Sequence, residues 1–308
     1  MSGASNEATV KRITVQEECG GKCESCEKYY DCTLPLKAIF QKKGILSMIR
    51  ENLREVKHKI IVLGGKGGVG KSMVSVNLAA ALVSEGKTVC ILDQVYDCPA
   101  VPMMAGVPAD AKLMVGSNGL LPYEVYPGFK VMSTGLILKS TDVIIWYHDM
   151  KRNATEELLA ATDYGDLDYL ILDIPAGTSS ETVNALKYLP DLDGGIVVTV
   201  GSKISQNVAR KCIYILNKAE IPVIGVVENM GEVHCSACGR SLTPTQSGAG
   251  RKMAEDEGVH FIGSIPLSEK ISQSLDDGVP IVKSDPDSEE GKEIMKIGKS
   301  VIDFCEKK

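Results

Sequence analysis

No apolar run in the 308 residues approaches the roughly 20 needed to span a bilayer. The polar start Met1-Ser2-Gly3-Ala4-Ser5-Asn6-Glu7 lacks the apolar centre of a secretory signal. Both absences point to a cytoplasmic protein with no membrane partner. There is no surplus of basic residues either: 34 Lys and Arg against 40 Asp and Glu give a net charge of −6. A general nucleic-acid binder needs positive charge to neutralise phosphates, so nucleic acid is not an expected partner. Internal repeats and low-complexity tracts are missing too. With 44% hydrophobic residues, the length suits one large α/β domain.

Cysteine is abundant, with ten in the chain. Without an export signal, such a number points to metal or redox chemistry rather than a disulfide framework. Cys19, Cys23, Cys26 and Cys32 crowd the N-terminus, Cys235 and Cys238 form a Cys-x-x-Cys pair, and Cys90, Cys98, Cys212 and Cys305 are scattered. The scattered four read mostly as core thiols.

Residues 1–34 read as a mobile tail and an N-terminal cysteine motif, and residues 35–57 as a linker helix. Residues 58–308 read as the main domain, with the Cys-x-x-Cys loop at 232–247. Short apolar strands are expected at 59–63, 88–92, 169–172, 195–200, 223–227 and 261–265, with helices between most of them. That alternation implies an α/β fold, a mostly parallel sheet with helices on both faces. The Gly-, Pro- and Tyr-rich interval 113–133 is a candidate edge hairpin. A last helix over 288–304 is expected to pack on the sheet, with a membrane-lying amphipathic helix as its rival.

Between the first strand and the first helix of this domain runs Gly64-Gly65-Lys66-Gly67-Gly68-Val69-Gly70-Lys71-Ser72-Met73. Glycines let successive backbone N–H groups approach a phosphate chain, and the helix N-terminus behind them adds a favourable dipole. Lys71 reaches the β and γ phosphates in such a loop, and Ser72 coordinates Mg²⁺. ATP with Mg²⁺ is therefore the expected ligand. Asp93 and Asp173 close two strands, where carboxylates serve the magnesium shell. The turn Ile174-Pro175-Ala176-Gly177-Thr178 follows as a candidate γ-phosphate sensor.

The additional Lys66 makes 65–72 resemble the deviant Walker A loop of the MinD, ParA and nitrogenase iron-protein class. In that class the early lysine contacts nucleotide across a homodimer interface. Asp168-Tyr169-Leu170-Ile171-Leu172-Asp173, Glu228-Asn229-Met230 with Cys235 and Cys238, and Gly263-Ser264-Ile265-Pro266-Leu267 are similar to the Mrp/ApbC iron–sulfur carrier branch. The resemblance runs from about residue 59 to 282 and places Asn229 and Pro266 near the nucleotide base. It implies a homodimeric scaffold that holds a [4Fe–4S] cluster and passes it to apo-proteins. The alternatives are an ATP-driven electron-transfer protein like the nitrogenase iron protein, and a zinc-stabilised nucleotide switch. One departure concerns hydrolysis: Val95 stands where the family carries a second acid. Slow turnover is expected unless Asp97 substitutes from a shifted loop.

Cys235 and Cys238 supply half of a four-sulfur site. A zinc knuckle, a metal-free turn and a cluster shared by two copies all fit the pair itself, and the resemblance implies the bridging [4Fe–4S] cluster. Cys19, Cys23, Cys26 and Cys32 suffice for a cluster or a zinc ion within one chain. Their spacing is similar to the ferredoxin-like extension of eukaryotic cytosolic scaffold members, except that the first interval is shorter.

Overall fold

The computed structural model describes residues 35–137, 148–177, 180–189, 191–233, 237–240 and 248–307. The chain divides into two units, 1–47 and 48–308; of the first, only the opening turns of one helix fall among the described residues. In chain order the elements are α1 Pro35–Asn52, β1 Val56–Leu63, α2 Lys71–Ser84, β2 Val89–Asp93 and α3 Val101–Ala105. Then come β3 Met114–Val115, β4 Leu120–Leu121, β5 Tyr123–Tyr126, β6 Phe129–Ser133, α4 His148–Ala161, β7 Leu167–Asp173 and α5 Ser180–Tyr188. The remainder is β8 Gly194–Thr199, α6 Lys203–Lys218, β9 Val223–Gly231, α7 Ala249–Asp256, β10 Phe261–Pro266, α8 Glu269–Asp276, α9 Ile281–Ser284 and α10 Glu289–Glu306.

Eight strands form one sheet in the order β10-β9-β8-β1-β7-β2-β6-β5. All neighbours are parallel except β5 and β6. The central strand explains the arrangement. Ile60, Ile61, Val62 and Leu63 are all fully buried, so β1 cannot turn one face to water and must be covered by helices on both sides. Ile60 and Val62 join one core with Val74 and Leu78 of α2 and Ile297 and Val301 of α10. On the other face Gly195 leaves room for Leu216 of α6, whose Cδ1 would lie 2.5 Å from a Cβ at that position.

The expected hairpin within 113–133 is present, with a refinement. β6 belongs to the parallel run beside β2, and β5 alone is antiparallel, at the sheet edge. α1 ends at Asn52 and β1 starts at Val56, three residues ahead of the expected strand start at 59. The terminal helix buries Ile294, Ile297 and Val301 against the core, the packing expected of a sheet-covering helix. Of the scattered cysteines, Cys90, Cys212 and Cys305 are buried, but Cys98 is exposed on the loop after β2. This fits the expectation that most of the four are core thiols, and Cys98 is the exception because it follows the strand end rather than lying within it.

Candidate nucleotide site

The loop at 64–70 leaves the carboxyl end of β1 in the middle of the sheet, the place where open α/β sheets bind ligands. Gly70 is required twice over. Its φ of +87° lies in the left-handed region, and a Cβ there would sit 2.2 Å from Asn229 Nδ2. Gly65 lies against α6, where a Cβ would come within 2.4 Å of the Val208 backbone. Lys66, Gly67 and Gly68 are exposed, whereas Val69, Lys71 and Met73 are buried. The loop is thus anchored through its apolar and terminal residues and open at its glycine crest.

Asp93 and Asp173 stand directly opposite each other at the ends of β2 and β7, and both are fully buried. Ser72 Oγ donates to Asp173 Oδ2 at 2.5 Å and Ser75 Oγ to Oδ1 at 3.0 Å. Asp93 accepts from the Val95 amide at 2.9 Å and from Ser133 Oγ at 3.0 Å. Burial raises both acids above the ordinary carboxylate range; the neighbouring Asp173 raises Asp93 further, while the two serines and Lys71 partly offset the rise at Asp173. Burial also pulls the Lys71 ammonium below its usual value, against the attraction of Asp173. With both acids raised and only Lys71 opposite them, a hard divalent ion between the carboxylates would favour their charged forms. The hydroxyl of Ser72 and the Asp173 carboxylate form an oxygen-only donor set that suits Mg²⁺.

Asn229 does something the sequence did not suggest. Its Nδ2 donates to the Val69 carbonyl at 2.9 Å, across 160 positions of sequence, so it braces the phosphate loop from the end of β9. The residue before it, Glu228, is fully buried and accepts the Gly250 amide at 2.7 Å, holding the N-terminus of α7. Cys238 lies in sequence between β9 and α7 and is exposed. Cys235, Cys19, Cys23, Cys26 and Cys32 lie outside the described residues. Pro266 ends β10 opposite Gly231, at the outer edge of the sheet.

The turn after β7 touches the loop directly, with the Gly177 amide donating to the Gly64 carbonyl at 3.0 Å. Asp97 is not turned to the acids: it pairs with Lys151, which also meets Glu181 at 2.9 Å. Sequence reading missed Ser75, Ser133 and Lys151, and it quoted Glu228 without giving it a role. Ser75 carried a signal of its own, since it lies three positions after Ser72 and so on the same helix face.

A phosphate loop leaving the central strand of a parallel sheet, with two strand-end acids beside it, defines a P-loop nucleoside triphosphatase of the MinD/ParA fold. Solved structures agree. A nucleotide-binding protein from Archaeoglobus fulgidus, described in complex with ADP and with cobalt, matches with a TM-score of 0.66 and 29% identity, covering 76% of this chain and 91% of its own. The cell-division ATPase MinD of Pyrococcus furiosus matches at 0.59 and 20%, covering 81% and 100%, a likeness of fold alone. The family model described as NUBPL iron-transfer P-loop NTPase, of the ParA group, matches residues 55–302, and the chain belongs to that family. A relative from Methanocaldococcus jannaschii, named iron-sulfur cluster carrier protein, is 38% identical over 94% of this chain and 99% of its own length. Another from Caenorhabditis briggsae, named a homolog of the cytosolic Fe-S cluster assembly factor NUBP1, is 34% identical over 82% and 83%. Among the described residues no helix is long and apolar enough to cross a membrane.

Proposed function

We propose that this protein is an ATP-binding iron–sulfur carrier that holds a [4Fe–4S] cluster between two copies of itself and delivers it to apo-proteins in the cytoplasm. Cys235 and Cys238 from each copy are the cluster ligands, and Cys19, Cys23, Cys26 and Cys32 hold a separate cluster in the N-terminal unit. ATP lies on the loop 65–73 with its phosphates at Lys71 and its base toward Pro266 and β9. Exposed Lys66 reaches the nucleotide of the other copy. Magnesium, held through Ser72 and Asp173 with Asp93 beside it, supplies charge neutralisation for the phosphates.

The observation that carries this reading is the pair of contacts at the end of β9. Asn229 grips the phosphate loop and Glu228 grips α7, and the cysteine segment runs between β9 and α7. Nucleotide arriving at Val69 and Gly70 pushes on Asn229 first, and the cysteine segment leaves from the same strand end. The fold thereby supplies a short mechanical route from phosphate to cargo. Hydrolysis is slow in this account, because Val95 offers no carboxylate and Asp97 is engaged by Lys151.

Anaerobic reconstitution with iron and sulfide, followed by Mössbauer spectroscopy, tests the assignment. Wild type should hold two cluster populations, Cys235→Ala/Cys238→Ala should lose one, and the N-terminal cysteine variants should lose the other. Equal cluster content in all of them would defeat the proposal.

A further inference from the structure

At the end of the sheet opposite the phosphate loop, three side chains from distant parts of the chain converge. His58 lies near the start of β1, Asp193 immediately precedes β8, and Cys305 is in the last turn of α10. One imidazole nitrogen, one carboxylate oxygen and the thiol sulfur lie within 4.8 Å of one another. His58 Nδ1 stands 3.4 Å from Asp193 Oδ1. Metal bonds of about 2.0–2.1 Å to nitrogen and oxygen in a tetrahedron put the two ligand atoms about 3.3 Å apart, so that edge already has the required length. The other carboxylate oxygen, Oδ2, accepts the Lys59 amide at 2.9 Å, the kind of outer bond that orients a ligating carboxylate. The cluster is sheltered: His58 and Asp193 side chains are 19% and 15% exposed, and Cys305 is 2% exposed.

A second observation comes from Tyr169, which pairs with His58 across β1 and β7. Its ring centroid is 5.0 Å from the imidazole. The residue is fully buried, and its hydroxyl has no hydrogen-bond partner. Burial raises the phenol, and the charges of Cys305, Glu306, Asp168 and Asp193 raise it further, so the orphaned hydroxyl is within electrostatic reach of two of the three groups. A buried hydroxyl without a partner costs about 1–3 kcal/mol and is normally accounted for by an unseen water or ion. A plain His58–Asp193 ion pair leaves this hydroxyl unexplained.

We propose that His58, Asp193 and Cys305 bind a zinc-class divalent cation, with a water as fourth ligand that donates to the Tyr169 hydroxyl. Mixed nitrogen, oxygen and sulfur ligands select zinc or cobalt over magnesium or calcium. Binding takes the thiolate and a neutral imidazole, so Cys305 gives one proton to solvent as the metal enters. The ion would clip α10 to the starts of β1 and β8, elements otherwise far apart in sequence. This site is independent of the cluster cysteines.

The test uses the full chain with Cys19, Cys23, Cys26, Cys32, Cys235 and Cys238 all replaced by serine, titrated with Co²⁺ as a spectroscopic probe and with Zn²⁺ in thermal unfolding. The parent should bind one Co²⁺ with a sulfur-to-cobalt charge-transfer band and tetrahedral visible bands, and Zn²⁺ should raise its Tm. Adding Cys305→Ser should remove the charge-transfer band and weaken binding more than about tenfold. Adding His58→Gln should weaken it similarly while leaving the sulfur band at saturation. Circular dichroism reports folding of each. If Cys305→Ser does not fold, His58→Gln decides, because its side chain is partly exposed. Unchanged spectra and affinity in the folded variants, or no Co²⁺ bound by the parent, would overturn the site.

Discussion

The phosphate loop and the cysteine segment depend on the same strand, β9, yet they are built in opposite ways. The loop is fixed from several directions: Asn229 holds Val69, Gly177 holds Gly64, and Gly65 lies against Val208. The residues at 237–240 around Cys238 are all exposed. A site that must recognise phosphates gains from groups already in place, because no ordering cost falls due on binding. A segment that releases a cluster, as proposed for this one, gains from accessibility. The difference suggests that the nucleotide site is the rigid partner and the cysteine segment the responsive one, with β9 between them.

The largest expected effect breaks the rigid side. Gly70→Ala forces a side chain into left-handed backbone and into Asn229, a combined cost of about 3 kcal/mol or more. Nucleotide affinity measured by calorimetry should fall roughly a hundredfold. Next comes the brace itself: Asn229→Ala leaves the Val69 carbonyl without its donor, at about 1–3 kcal/mol, and should weaken ATP binding about tenfold while the chain stays folded.

On the responsive side, Glu228→Ala frees the N-terminus of α7. We expect a loss of about 1–2 kcal/mol of stability in urea unfolding and faster proteolysis at the start of α7, with ATP affinity little changed. A fall in ATP affinity as large as that of Asn229→Ala would show that the two ends of the route are not separable. A smaller effect comes from Asp168, outside the route. Burial tends to raise its carboxyl, but Lys57 and the Thr88 amide and hydroxyl outweigh that and hold it at about 2. Because the folded value lies below the unfolded one, its stabilisation is present above about pH 4 and is lost as pH falls toward 2. Asp168→Asn should cost about 1 kcal/mol at pH 7, and the difference from wild type should vanish near pH 2. Least of all, Asp97→Ala breaks an ion pair whose carboxylate is half exposed. It should leave both stability and the ATPase rate within about twofold; a fast wild-type rate that collapses in this variant would make Asp97 the missing acid.

Much of this architecture was legible in the sequence, for identifiable reasons. The run Ile60-Ile61-Val62-Leu63 has no polar face, so it reads as a central strand. Gly70-Lys71-Ser72 after it reads as a phosphate loop because few other uses require that backbone. The brace was not legible: Asn229 meets Val69 across 160 positions, and nothing local distinguishes a carboxamide aimed at a loop from one aimed at a base. The same holds for Lys151 between Asp97 and Glu181, and for His58 with Asp193 and Cys305, which only the packing of helices on the ordered sheet brings together. Cys98 marks the limit of a group reading: composition alone makes most of the scattered cysteines core thiols without saying which one lies on a loop.

The central claim is that phosphate occupancy reaches the cysteine segment through Asn229. The most direct measurement is the rate of cluster transfer from reconstituted protein to an apo-acceptor, with and without saturating ATP, in wild type and Asn229→Ala. The account predicts that ATP changes the wild-type rate several-fold and that the variant, fully occupied by ATP, transfers at one rate regardless. An equal ATP response in both proteins would contradict it.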